Sequence, residues 1–170
     1  MDIESQKQLV NLCEFPQGLK WELKYRASRG VFKASDFHSH CDGIAKTLTV
    51  IKSKSGNVFG GFTEQKWQSR GGFVTDPKAF IFSLINKDKN PFKVMCSNEG
   101  KNAIFCSSML GPCFGYREIR ILSDSNRGYY NFGYSYQHPD FKKDTDKAKN
   151  IIAGSYASEI VGIEVFANTI

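Results

Sequence analysis

Thr47-Leu48-Thr49-Val50-Ile51-Lys52, the turn Lys54-Ser55-Gly56-Asn57 and the run Val58-Phe59-Gly60-Gly61-Phe62-Thr63 read as a β-hairpin. The alternation in the first run sends Leu48 and Val50 inward, the Ser-Gly-Asn turn reverses the chain, and the second run returns as the partner strand. Gly60 and Gly61 inside that returning strand predict either a bulge or a close approach by other parts of the chain.

Downstream, Phe80-Ile81-Phe82-Ser83-Leu84-Ile85 is apolar on both faces, as a covered strand must be. Residues 92–96 and 103–106 read as the following strands, with a Ser-Asn-Glu-Gly-Lys-Asn turn at 97–102. Residues 117–122 alternate Ile119 and Ile121 against Glu118 and Arg120, a half-exposed strand. Residues 123–146 are polar and rich in Tyr, Asn and Asp, a long irregular excursion of the kind that often carries function. The last strand puts Val161, Ile163 and Val165 on one face. Upstream, residues 4–13 place Leu9, Leu12 and Cys13 at helical spacing, with Ser5 as cap and Phe15, Pro16 and Gly18 as stop. Trp21, Leu23 and Tyr25 share one face of a strand, and residues 33–43 form a short helix ended by Gly43. The fold class is mainly β (α+β): a two-sheet antiparallel β-sandwich flanked by short helices. We expect one domain over 1–170, with its core at about 5–167.

Composition narrows the function classes. The chain has 170 residues, with 14 Phe, 7 Tyr and 2 Trp, enough to fill one core and unlike a disordered tract. The net charge of +6, from 23 basic and 17 acidic residues, favours weak attraction to acidic partners without naming one. The densest basic group, Lys142, Lys143, Lys147 and Lys149, is interrupted by Asp144 and Asp146, so a solvated surface is favoured over a nucleic-acid site. Five cysteines without a Cys-x-x-Cys spacing, no membrane span and no signal peptide point to reduced thiols in a cytoplasmic protein.

Several strings in order resemble the TLDc domain, the module of the oxidation-resistance proteins. They are Lys20 to Ser28, Gly30 with Phe32, Phe37 before Cys41-Asp42-Gly43, Thr47 to Lys52, Gly56 to Phe62, Trp67, Phe80 to Leu84, a Gly111-to-Gly115 turn, and Ile163-Glu164-Val165-Phe166. Together they span roughly residues 5–167, and their order and spacing carry the specificity. The resemblance implies a β-sandwich flanked by helices, a role in protection against oxidative damage, and a protein partner such as the vacuolar proton-pumping ATPase. It implies no established catalysis and no cofactor, so an interaction or regulatory domain ranks ahead of an enzyme. The chain departs from the family where Tyr116-Arg117-Glu118 stands in place of a tryptophan and an acidic pair, where Phe166 replaces a closing tryptophan, and in an insertion-like stretch at 141–156.

Candidate chemistry is sparse. His38 and Asp42, at i and i+4, face one side of a helix as a zinc or copper pair would. His40 points elsewhere at about 100° per residue, so His38, His40, Cys41 and Asp42 do not converge on an ideal helix. A polar helix end with one buried Cys is the favoured reading. Glu64, after the glycine-bearing strand, is the first candidate for a catalytic acid, with Asp42 and Asp124 as partners; the alternative to catalysis is an exposed turn glutamate. An enzyme reading, as hydrolase or peroxide-consuming thiol, would run through Glu64 or Cys41. Asp124-Ser125-Asn126-Arg127-Gly128 resembles the front of a calcium loop but lacks its closing glutamate. Cys41, and Cys113 in a Gly-Pro turn, are the thiols expected to be accessible. Tyr129, Tyr130, Tyr134 and Tyr136, with Phe132, form either a recognition surface or a cover for the sandwich edge.

Overall fold

The computed structural model describes residues 2–27 and 31–169. Ser28 and Gly30, two of the residues quoted for the resemblance, lie outside the described residues. The elements are helix α1 (Ile3–Cys13), strand β1 (Trp21–Ala27), helix α2 (Ala34–Cys41), then β2 (Thr47–Ser53), β3 (Val58–Thr63), β4 (Gly72–Val74), β5 (Phe80–Ile85), β6 (Phe92–Met95), β7 (Ile104–Cys106), β8 (Leu110–Phe114), β9 (Ile119–Leu122) and β10 (Arg127–Tyr129). Helix α3 (Asp146–Asn150) and the long strand β11 (Ala157–Asn168) complete the chain.

The strands pair antiparallel in two groups. One sheet runs β1-β11-β2-β3-β5-β6 and the other runs β4-β7-β8-β9-β10, joined to the first through β11. Strand β11 serves both because a register shift between Ile160 and Gly162 bends it. Its start, at Ala157 to Glu159, pairs with β10, and its remainder pairs with β2 and β1. The main core lies between the sheets and joins Ile51, Phe59 and Ile81 of one to Ile104, Phe114, Ile119 and Ile121 of the other. A second apolar cluster, on the outer face of the first sheet, packs Leu9 and Cys13 of α1 on Leu48, Val50, Phe62, Phe80 and Phe82. The expected β-sandwich with short helices is the observed architecture.

Local readings were altered by tertiary geometry at four places. Helix α1 is capped by Asp2, whose Oδ1 accepts from the Ser5 amide at 2.8 Å, so Ser5 donates to the cap residue and does not supply it. A bulge between Leu23 and Tyr25 turns the β1 side chains over: Trp21 packs with Phe15 in the outer cluster while Tyr25 joins Phe32 and Phe37 in the main core. The bulge in β11 likewise leaves Val161 exposed and puts Ile160, Ile163 and Val165 inside. Gly111 to Phe114 form a buried strand and not a turn, because Gly111 lies under the Phe32 ring and a register irregularity accommodates Pro112.

The hairpin glycines mark close approach. A Cβ on Gly60 would stand 1.9 Å from the Thr49 carbonyl oxygen, and one on Gly61 would stand 2.6 Å from the Phe114 ring across the core. The second sheet approaches the first at Gly61 because nothing larger is there, while Gly60 leaves room for the backbone of the neighbouring strand β2. Strands β6 and β7 follow one another in sequence yet belong to different sheets, pairing with β5 and with β4 and β8.

Candidate functional site

Helix α2 brings the predicted His38–Asp42 pair together. Phe37 and Cys41 point into the core, which turns His38 toward the loop between β7 and β8. The His38 Nδ1 lies 2.7 Å from Asp42 Oδ1, and its Nε2 lies 2.8 Å from the Ser107 carbonyl oxygen and 3.0 Å from that of Leu110. Both ring nitrogens therefore face acceptors, and the imidazole acts as a clip between α2 and residues 107–110. Asp42 Oδ2 accepts from the Ser69 hydroxyl, which ties in the segment after Trp67. His40 is exposed on another side, with Nδ1 at 2.7 Å from the Asp36 carbonyl oxygen. Among the described residues no three His, Cys, Asp or Glu side chains gather as a metal cluster.

Glu64 stands apart from that group. Its carboxylate reaches Lys78 Nζ at 3.5 Å, and its amide donates to the buried Asp76 at 2.7 Å. Asp76 organises this corner, accepting also from the Thr63 hydroxyl at 2.6 Å and the Lys78 amide at 3.0 Å. Asp124 accepts from the Ser123 hydroxyl at 3.0 Å, Ser125 Oγ from the Arg127 amide and Asn126 Oδ1 from the Phe32 amide, so the calcium-loop side chains are spent on local turn bonds and on one tie to the distant Phe32. All five thiols are buried. Burial pushes Cys41 and Cys113 up to about 12, so neither is the accessible thiol expected from its neighbours in sequence.

The tyrosine-rich segment divides between core and surface. Tyr130 and Tyr136 are wholly buried, with Tyr136 Oη donating to the Ala103 carbonyl at 2.7 Å, so they hold the core and present no surface. Tyr129 and Tyr134 are half-buried. What fixes this segment is Glu118, expected on the outer side of its strand but fully buried. Its Oε1 accepts from the amides of Tyr134 (2.7 Å), Ser135 and Tyr136 (3.0 Å), and its Oε2 from the Arg117 amide at 3.1 Å. Gly115, at φ +70°, leaves room for that carboxylate: a Cβ there would lie 2.1 Å from Glu118 Oε2. The only trace of this in the sequence is a glutamate three residues after a glycine.

Outside this anchor, the outer face of the second sheet carries rings and guanidinium groups. Phe73 and Phe105 face each other across β4 and β7 at 4.9 Å, and Tyr116 stacks on Phe73 at 5.8 Å. Arg117 lies 5.4 Å over the Tyr116 ring and 5.4 Å over that of Tyr134, and Tyr134 donates to Asp144 at 2.7 Å. Beyond Arg120, Tyr129 packs against Tyr156 at 5.4 Å. Two hollows lie here, of about 210 Å³ beside Phe73, Phe105 and Tyr116 and of about 380 Å³ beside Leu122, Tyr129 and Tyr156; both are lined by Arg117 and Arg120.

The family model described as the TLDc domain matches residues 1–168. The chain is similar to the MTOR-associated protein MEAK7 of Xenopus laevis, with 31% identity over 65 residues, 38% of this chain and 14% of that protein. It is similar also to the MTOR-associated protein MEAK7 of Danio rerio, with 33% identity over 45 residues, 26% of this chain and 10% of that protein. The alignments thus span a small part of either relative. No described helix is long and apolar enough to cross a membrane.

Proposed function

We propose, on the premise that this chain belongs to the TLDc domain family, that it is a non-catalytic interaction and regulatory domain that works by holding a protein partner. The observation that carries this reading is the outer face of the second sheet, where aromatic rings and arginines stand on a rigid support. Aromatic and arginine side chains are the types that supply most binding energy at protein interfaces. The association with mTOR in the names of the two relatives favours partnering as the activity. The vacuolar proton-pumping ATPase is the partner we propose first, with protection from oxidative stress as the cellular consequence and the cytoplasm as the place of action.

The test is direct binding. The immobilised chain is exposed to the purified peripheral sector of the vacuolar ATPase and, separately, to purified mTOR complex. Retention of either at micromolar concentration is the expected result. Failure to retain either, together with peroxide consumption that a Cys41→Ser substitution abolishes, would replace this reading by an enzymatic one.

A further inference from the structure

We infer that the outer face of the second sheet takes an extended acidic segment of a partner protein, with two carboxylates near its middle and apolar side chains at both ends. The inference rests on reading this face as the interaction surface, and it names the chemistry of what binds there.

Charge is the first argument. Arg117 and Arg120 are exposed, and among the described residues no carboxylate lies within ion-pair distance of either guanidinium. The acids around Arg117 are already engaged: Glu118 is buried on backbone amides, and Asp144 accepts from the Tyr134 hydroxyl and from Asn131 Nδ2 at 2.9 Å. Lys143 adds a third positive group at 5.5 Å over the Tyr134 ring. The guanidinium of Arg117 rests against the Tyr116–Tyr134 ring pair, 5.4 Å from each centroid, and this contact reduces the side-chain entropy still to be lost when it forks onto a carboxylate.

Geometry supplies the length and the pattern. The two hollows share both arginines and diverge from them, one toward Phe73, Phe105 and Tyr116 and the other toward Tyr129 and Tyr156. From β4 to the start of β11 the sheet is six strands wide, about 24 Å at the usual strand spacing, or roughly seven residues of extended chain. The cations sit in the middle and the rings at the ends. A free phosphate would use the arginines and leave the rings idle, and a nucleic-acid strand needs cations along its whole track. An acidic segment with apolar flanks uses both.

The experiment titrates the full chain with the capped peptide Phe-Leu-Gly-Glu-Glu-Gly-Leu-Phe, with its Lys-Lys counterpart and with inorganic pyrophosphate, followed by amide chemical shifts. We expect saturable shifts confined to residues 72–74, 104–106, 116–122 and 127–130 for the Glu-Glu peptide, and none for the Lys-Lys peptide. The R117Q/R120Q double variant, altered only at exposed positions, should weaken binding by about tenfold or more with an unchanged melting temperature. Equal binding by the double variant, shifts elsewhere, or the same shifts from pyrophosphate alone would overturn the inference. Retention of the ATPase sector by wild type and double variant alike would also overturn it while leaving the interaction reading intact. Loss of retention in the double variant alone supports both.

Discussion

Glu118 and the amides of Arg117, Tyr134, Ser135 and Tyr136 close on one another out of reach of water. Removing the carboxylate leaves four donors without an acceptor in a space that solvent does not fill. Glu118→Ala should therefore cost about 3 kcal/mol of stability in urea unfolding, and Glu118→Gln, which keeps one oxygen, less than that. Burial pushes the Glu118 carboxyl up, against the pull of those amides. A raised acid binds its proton more tightly folded than unfolded, so its contribution to stability declines as pH rises from about 4.3 through the folded value. Comparison with Glu118→Gln should show that slope vanish. Asp144 has the opposite sign. The Tyr134 hydroxyl holds its carboxyl below the ordinary value, so its contribution is present above about 3.9 and is lost as pH falls through the folded value. Acid should loosen residues 130–144, which amide exchange would detect. At the thiols, with burial pushing Cys41 and Cys113 up to about 12, native labelling by an aromatic disulfide at about pH 8 should be at least ~100-fold slower than in denaturant. A fast-reacting Cys41 would contradict this placement.

At the scale of elements, alternation told which runs are strands, and bulges decided which way their side chains point. The extra residue in β1 lies at Lys24 and that in β11 at Val161. Each flips the alternation midway, which no periodicity read from one end of the strand can anticipate. The glycine pair of β3 was legible as either a bulge or a close approach, and the structure makes it a close approach whose partners come from β2 and from β8 in the opposite sheet. Gly61→Ala should destabilise by about 1–3 kcal/mol, because the added carbon would overlap the fully buried Phe114 ring. Gly71→Ala, where the added carbon would meet only the Cys106 carbonyl oxygen at 3.8 Å, should change stability by less than about 1 kcal/mol. Urea midpoints of the two variants test the contrast.

For the whole molecule, the amino-acid sequence by itself determined the family and the antiparallel strand content, because these follow from local alternation, turn chemistry and ordered strings along the chain. It also placed His38 beside Asp42, since four residues of helix bring two side chains to one side. Only the tertiary structure decided exposure. Tyr130 and Tyr136 go inward while Tyr134 stays at the surface, because Glu118, in the turn between β8 and β9, grips the backbone amides of residues 134–136. The reactive-looking neighbours of Cys41 in sequence do not reach its thiol, because Cys41 points into the core. The face of Phe73, Phe105, Tyr116, Arg117, Arg120 and Tyr129 gathers residues from four strands and a turn. Such a surface is fixed by strand order and register, and those are set by packing between segments far apart in the chain.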